Sequence, residues 1–170
     1  MPTPAYIKIE GETQGLITQG ASTSESLGLT KRGHEDEAII YELNHKIKRP
    51  SDSDSGIITG PPIHGPLTIK KEIDKSSPLL YNALTSGERL TKCEISCYRT
   101  NENGEDEHYF SIILEAASII DITSNLPNCK DPNLKQLTHM EEVSFRYRKI
   151  TWSHEVSGTT GMHDWEEPRE

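Results

Sequence analysis

Apolar residues are scarce in this 170-residue chain, where they make up 32% of the sequence and aromatic residues only 6%. The mean hydropathy is correspondingly low, at -0.66. Low hydrophobicity together with net charge is typical of disordered chains. Several stretches of clean apolar–polar alternation argue against disorder and indicate a folded sheet with more hydrated surface than usual. The length suits one domain with a real core, and no apolar run approaches the length of a membrane span.

The chain also lacks a disulfide framework, because it has only three cysteines, Cys93, Cys97 and Cys129. Cys93 and Cys97 fall four residues apart in a predicted strand, which separates them by roughly 13 Å. A bridge between them would break that strand, and their spacing is not the Cys-x-x-Cys of zinc and redox sites. We therefore expect buried free thiols in a protein that folds in a reducing compartment.

Basic residues are outnumbered, with 18 Lys and Arg against 27 Asp and Glu, so the net charge is -9. This balance disfavours a dedicated nucleic-acid-binding protein, whose affinity comes from neutralising phosphates. It is compatible with a polar surface that faces other proteins. The first residues have neither a basic start nor an apolar core, so we expect no cleaved signal peptide and an export route, if there is one, that reads another feature.

Catalytic signatures are missing as well. The sequence contains no Gly-x-Ser-x-Gly, no phosphate-binding Gly-x-x-x-x-Gly-Lys-Ser/Thr and no Gly-x-Gly-x-x-Gly motif, and none of its seven histidines pairs with another at ligand spacing. The most metal-like group is His34, Glu35 and Asp36, whose adjacent carboxylates should point apart. A solvated loop end or a subunit contact is the favoured interpretation there, with a metal or acid–base site as the alternative. Glu141 and Glu142 should lie on opposite faces of one strand, so we do not expect them to act together as a catalytic pair. Since no motif or ligand spacing indicates otherwise, we also predict no cofactor and no metal.

The most regular stretch covers residues 140–152, where apolar and polar side chains alternate with the period of a strand. The apolar side holds Val143, Phe145 and Tyr147, and the polar side holds Ser144, Arg146 and Arg148. The two arginines have two interpretations. They are either part of a solvated sheet face or a contact with acidic groups of a neighbouring subunit, where arginine is favoured.

Shorter alternating stretches predict the strands that would pair with this one, at residues 6–11, 37–49, 67–73, 90–99 and 108–122. Asn103 and Gly104 signal a hairpin, and a bend or bulge is expected at Ala116 and Ala117 because the last of these strands is long. We predict an all-β fold, a closed β-barrel of two antiparallel sheets, because open strand edges invite aggregation.

The segments between strands complete the prediction. Residues 77–87 should form one short helix packed on the side of the barrel, with Ser77 as its cap, Pro78 in its first turn and Gly87 at its exit. Residues 11–33 are too long for an ordinary loop, and their apolar anchors Leu16, Ile17, Leu27 and Leu29 predict an ordered excursion. The whole chain, residues 1–170, is expected to be a single domain with a polar, partly flexible tail from about residue 153.

Six stretches of the sequence are informative together: residues 1–11, 13–18, 33–37, 77–88, 98–100 and 147–152. In the same order, these stretches resemble the haemolysin-coregulated proteins, which form the inner tube of bacterial type VI secretion. The resemblance implies a homohexameric ring of β-barrels that stacks into a tube inside contractile sheath proteins, below a spike protein at the tube tip. It further implies assembly in the bacterial cytoplasm, secretion through the system, and carriage of effector proteins in the lumen. Residues 50–66 and the tail match the family pattern loosely.

The resemblance also places a stacking contact in the excursion of residues 11–33, for which we single out Gln14, Gly15 and Leu16. Together with His34, Glu35, Asp36, Arg146 and Arg148, these residues are the predicted self-assembly positions. The chain ends about 18 residues past Trp152, so no added enzyme domain is expected. The alternatives are a monomeric β-barrel module that binds carbohydrate or peptide, and a metal-dependent hydrolase built on the histidines.

Overall fold

The computed structural model describes residues 3–165 of the chain. Its strands and helices are, in order, β1 (Ala5–Gly11), β2 (Gly15–Leu16), α1 (Ser24–Leu27), β3 (Ala38–Asn44), β4 (Ile47–Lys48), β5 (Ile63–His64), β6 (Leu67–Glu72), α2 (Ser77–Ser86), β7 (Leu90–Thr100), β8 (Asp106–Asn125), β9 (Met140–Arg146), β10 (Lys149–His154) and β11 (Thr159–Asp164). A single 3-10 turn, Pro132–Leu134, interrupts the loop before β9. Within the described residues, no helix combines the length and the apolar character that a membrane span requires.

Six strands form a closed ring of antiparallel pairs, in the order β8-β7-β1-β3-β6-β9, with β9 returning to β8. Strand β10 extends the sheet from β8, β11 extends it from β10, and β2 pairs with the end of β1. Strands β4 and β5 form a separate two-stranded ribbon. The predicted all-β fold with a short helix is confirmed, as is its closure. The wall of the barrel is one continuous closed sheet rather than two sheets packed face to face.

The core lies inside this ring, where the apolar faces of the strands meet. It includes Ile7, Ile95, Leu114 and Phe145, all fully buried, and Leu80 of α2 covers one side. The predicted apolar side of residues 143–147 is confirmed, since Val143, Phe145 and Tyr147 are all buried. Burying such side chains is the main favourable contribution to folding.

The predicted strand over residues 140–152 is wrong in one respect, because it is two strands. Strand β9 ends at Arg146 and β10 begins at Lys149, with Tyr147 and Arg148 outside the ladder. The interruption faces Ala116 of β8, which has a positive φ of 52° and forms the predicted bend. Both strands pair with β8, one on each side of that bend.

Four other predictions need correction. The strand predicted over residues 37–49 ends at Asn44, and an irregularity between Ile40 and Glu42 turns Tyr41 out to solvent. Ile73 lies beyond the end of β6 and is exposed. Residues 24–27 form a helical turn that the sequence pattern did not indicate. The tail is not simply flexible, because residues 159–164 form β11; the part of the tail after residue 165 lies outside the described residues.

The predicted free thiols are found, although only Cys93 is fully buried. Cys97 is half-buried and Cys129 is exposed. Burial raises the pKa of the Cys93 thiol well above its usual value, and the carboxylate of Glu10 adds to this shift. Cys93 is therefore an unreactive part of the core.

Helix α2 spans the predicted residues, but its capping differs. Gly87 takes the left-handed conformation at the exit as expected, whereas the cap position is Ser76 and not Ser77. The Ser77 hydroxyl instead lies 2.7 Å from the Glu141 carboxylate and accepts the Asp74 amide at 3.0 Å. Ser77 therefore fixes the start of the helix to strand β9.

Ser77 belongs to a buried polar cluster centred on Lys71 of β6. The Lys71 ammonium lies 2.6 Å from Glu141 and 3.1 Å from Asp74, and Lys71 and Glu141 are almost completely inaccessible. The ammonium also donates to the Glu72 carbonyl at 2.9 Å. The cluster joins β6, β9 and the segment that leads into α2. Burial of charges on this scale is tolerated only when each has partners.

A second polar contact fixes the excursion of residues 11–33. The carboxylate of Glu88, just after α2, accepts the backbone amides of Thr13 and Gln14 at 2.6 and 2.7 Å and the side-chain amide of Gln14 at 2.5 Å. Burial acts to raise the pKa of Glu88, but these hydrogen bonds outweigh it and hold the pKa below its usual value. The excursion is ordered, as predicted, with Ile17 and Ala21 buried in the core. The predicted anchor Leu29 is instead exposed.

Replacement of Lys71 by methionine should strongly destabilise the fold. The variant leaves two buried carboxylates without their cation, and breaking a buried pair in this way costs about 3–5 kcal/mol. Urea unfolding measures this loss. The matched control is Lys70→Met on the same strand, whose exposed contacts with Glu42 and Glu142 contribute less than about 1 kcal/mol. Equal losses for the two variants would contradict the structural role of Lys71.

Replacement of Glu88 by alanine should loosen residues 11–33 without unfolding the ring of strands. Loss of the carboxylate removes three hydrogen bonds, and we expect the local opening free energy to fall by about 1–3 kcal/mol. Hydrogen exchange of peptides from this segment measures the change. The control is Glu12→Ala, because Glu12 is exposed on the same turn. Unchanged exchange in the Glu88 variant would mean that the contact does not hold the excursion.

Candidate self-assembly surfaces

The first predicted assembly position is the turn between β1 and β2. Gly15 has a φ of +71°, and a Cβ atom at this position would meet nothing within 4 Å. Leu16 is half-buried, and Gln14 is held by Glu88 and by the Leu79 carbonyl at 3.0 Å. The turn therefore projects from one end of the ring in a fixed conformation, which is a suitable geometry for a contact with another copy.

The second predicted position, His34 to Asp36, lies at the other end of the excursion. The His34 ring stacks on Tyr6 at 3.7 Å between centroids, and its Nδ1 is 3.3 Å from the Glu37 carboxylate. Glu35 accepts the Gly33 amide and Asp36 accepts the Gly20 amide, so the two carboxylates are used separately. These contacts close the excursion onto the barrel wall. Over residues 3–165, no group of three or more His, Cys, Asp or Glu side chains is arranged to hold a metal ion.

The third predicted position consists of Arg146 and Arg148, at the break between β9 and β10. Arg146 donates to the His64 carbonyl at 2.7 Å, and Arg148 lies 3.3 Å from the carboxylate of Asp164 on β11. Both arginines thus make contacts within their own chain. The structure does not bring the three predicted positions together: Gly15 pairs with Gly11 at the end of β1, whereas His34 covers Tyr6 near its beginning.

An aromatic cluster beside Arg146 was not predicted. The hydroxyl of Tyr147 lies 2.8 Å from His45 Nε2 and 2.6 Å from His64 Nδ1, and the ring of His163 stacks on His64 at 4.8 Å. Trp165 borders the cluster, 5.1 Å from His64. These residues come from distant parts of the sequence, so ligand spacing gave no sign of them. The one available signal was Tyr147 itself, because a tyrosine on the apolar side of a strand needs a partner for its hydroxyl.

Two regions of the described chain each expose several large apolar side chains. One is the segment of residues 45–66, here called the arm, which includes the β4–β5 ribbon and exposes Ile47, Ile57, Ile58 and Ile63. The other is a groove beside the loop before β9, where Ile73, Leu126 and Leu137 are exposed. Register places them at opposite ends of β6, since the arm leads into Leu67 and Ile73 follows Glu72. Exposed apolar surface of this kind marks interaction sites.

Comparison with known proteins places the chain among secretion proteins. The family model described as type VI secretion system effector, Hcp, matches residues 6–154. The "Major exported protein" of Pseudomonas aeruginosa strain PAO1 is 53% identical over 169 residues, which cover 99% of this chain and 98% of that protein.

Solved structures agree with this relationship. A crystal structure of an Hcp protein has a TM-score of 0.92 at 45% identity, covering 97% of this chain and 99% of that one. The secreted protein Hcp3 from Pseudomonas aeruginosa has a TM-score of 0.80 at 46% identity, with the same coverage of both chains. The matches span the closed ring of strands, α2 and the excursion described above. The chain belongs to the Hcp family of type VI secretion proteins, which are secreted structural tube proteins and not enzymes.

Proposed function

We propose that this protein is a subunit of a type VI secretion inner tube, in which six copies form a ring and rings stack into a tube. Membership of the Hcp family over nearly the whole chain is the observation that carries the proposal. The tube assembles in the bacterial cytoplasm, within contractile sheath proteins and below a spike protein, and is then exported. Effector proteins travel in its lumen.

The surface of the single chain supports self-assembly. The closed ring of strands leaves little backbone free for pairing, so copies must meet through side chains and loops. Isoleucines on the arm and the apolar groove lie at opposite ends of the barrel, and different surfaces that meet in this way make heterologous contacts. A subunit with walls toward a lumen and toward a sheath also needs two hydrated faces, which fits its low apolar content of 32%.

Light scattering on the purified protein tests the ring. We expect a species of about six copies, because heterologous contacts around a ring close when the rotation is suitable. Electron micrographs should then show rings of uniform diameter. A strictly monomeric protein at high concentration would contradict the proposal and favour the alternative, a monomeric β-barrel module that binds carbohydrate or peptide.

A second experiment tests the stacking role of the β1–β2 turn. Leu16 is the best position to change, because Gln14 supports the Glu88 contact and Gly15 has a positive φ that a larger residue would strain. The variant Leu16→Lys should still form rings, but stacking and secretion should fall about tenfold, since about 1.4 kcal/mol of lost apolar contact per interface has that effect.

The matched control is Leu29→Lys, an exposed leucine elsewhere on the same excursion. We expect it to stack and to be secreted normally. Tube length in micrographs and the amount of protein exported from cells provide the measurements. If Leu16→Lys also behaves like the unmodified protein, the stacking contact lies outside this turn, although the ring proposal is unaffected.

A further inference from the structure

The cluster around Tyr147 joins three separate parts of the chain. His45 and His64 stand at the two ends of the arm, Tyr147 lies in the break between β9 and β10, and His163 belongs to β11. His64 is only 3% exposed, and it stacks on His163 with an angle of 11° between the rings. The cluster is therefore the place where the arm, the ring of strands and the C-terminal hairpin, formed by β10 and β11, meet.

The hydrogen bonds of the cluster require that at least one of the two imidazole rings bound to Tyr147 stays neutral. Tyr147 has one proton on its hydroxyl, and two ring nitrogens approach its oxygen, His45 Nε2 and His64 Nδ1. The hydroxyl can donate to one ring and accept from the other only if one of the two nitrogens carries no hydrogen. When both rings are protonated, both nitrogens donate, and the hydroxyl proton loses its acceptor. Burial raises the pKa of Tyr147, so its hydroxyl does not ionise to compensate.

The surroundings of the rings also oppose protonation. The Arg146 guanidinium is bound to the His64 carbonyl, and the carboxylate of Asp164, next to His163, lies against Arg148. The buried Nδ1 of His163 has no hydrogen-bonding partner among the described residues, so a hydrogen placed there would lack an acceptor. Burial lowers the pKa of His64, and the neighbouring rings of His163 and His45 lower it further. Burial alone lowers the pKa of His45.

The arm depends on this cluster for its position. Strands β4 and β5 pair with each other and with no other described strand. A two-stranded ribbon is at best marginally stable by itself. The arm is connected to the barrel through the chain at Asn44 and Leu67. Among the described residues, the hydrogen bonds that hold the arm against the barrel are those of Tyr147 and Arg146 with His45 and His64.

We propose that His45, His64, His163 and Tyr147 form a pH-sensitive latch, which holds the arm against the barrel at neutral pH and releases it in mildly acidic solution. Release exposes the arm and the inner surface of the C-terminal hairpin while the closed ring of strands stays folded. The surface formed by the arm would therefore differ between the neutral interior of a cell and an acidic medium.

The direction of the pH effect follows from proton binding. In the released state His45 and His64 regain their ordinary pKa, near 6.5, and so bind more protons than in the docked state. Docking is then fully favourable above pH 6.5 and weakens as the pH falls below it. Each ring that must stay neutral weakens docking by about tenfold per pH unit in that range.

Hydrogen exchange on the full chain tests the latch. Peptides from residues 45–66 report docking, because the Gly65 amide donates to the Lys46 carbonyl within the ribbon. With labelling times corrected for intrinsic exchange, we expect these peptides to lose about tenfold in protection between about pH 7.5 and about pH 5.5. Peptides from β1 should keep theirs, and a loss there would indicate general unfolding and overturn the proposal.

Three variants complete the test. His64→Gln keeps a polar partner for Tyr147 but cannot charge, so the arm should lose clearly less protection in acid than it does in the unmodified protein. Tyr147→Phe removes both hydrogen bonds, so the arm should exchange rapidly even at about pH 7.5. His139→Gln is the control, since His139 is exposed and outside the cluster, and it should behave like the unmodified protein. A His64→Gln variant that loses as much protection in acid as the unmodified protein would exclude the latch.

A second measurement does not depend on any variant. Nuclear magnetic resonance of the histidine rings in the unmodified protein gives the midpoint at which each ring titrates. We expect His64 to titrate below the ordinary value near 6.5 and in step with the loss of arm protection. Titration of His45 and His64 at the ordinary value, with no change in exchange of the arm, would overturn the proposal.

Discussion

Closure of the strand ring depends on β8, which changes its partner along its length. Between Asp106 and Ala117 it pairs with β7, and β10 lies along its other edge; beyond the bend it pairs with β9. The register keeps Lys149 opposite Glu115 and Arg146 opposite Ser118, so Tyr147 and Arg148 on one side face Ala116 and Ala117 on the other. The matched irregularity turns both strands together. A bend in only one of them would leave buried amides without partners.

The residue at this bend is alanine and not glycine. A positive φ costs an alanine roughly 1 kcal/mol because its Cβ crowds the backbone, so the surrounding ladder must enforce it. The same break frees Tyr147 from the ladder while its side chain stays buried, and its hydroxyl reaches His45 and His64. Formation of the bend and docking of the arm therefore both rely on Tyr147, which leaves the strand together with Arg148.

Regular alternation was sufficient to predict the ring of strands, because one face of each strand is buried in a common core. It could not show the break at Tyr147, since this residue continues the buried series of Val143 and Phe145. Lys71 shares the buried side of β6 with Leu67 and Ile69, but its burial depends on Glu141, Asp74 and Ser77, which lie elsewhere in the sequence. Strand β11 was missed because it is a polar edge strand with weak patterning. The sequence pattern did not indicate the histidine cluster either, because only tertiary folding brings its members together.

A closed sheet restricts how this protein can contact other copies. In the described part of the main sheet, the free backbone edges are those of the outermost strand β11 and the two-residue β2, so strand addition offers little area. Apolar side chains must then supply the contacts, and the isoleucines of the arm are a large part of that supply. Their position relative to the barrel is set by the bonds from Tyr147 and Arg146 to the arm's two ends. Heterologous contacts need both surfaces in a fixed orientation. The protonation of a few buried imidazoles can therefore control the contact between the arm of one subunit and the surface of another subunit.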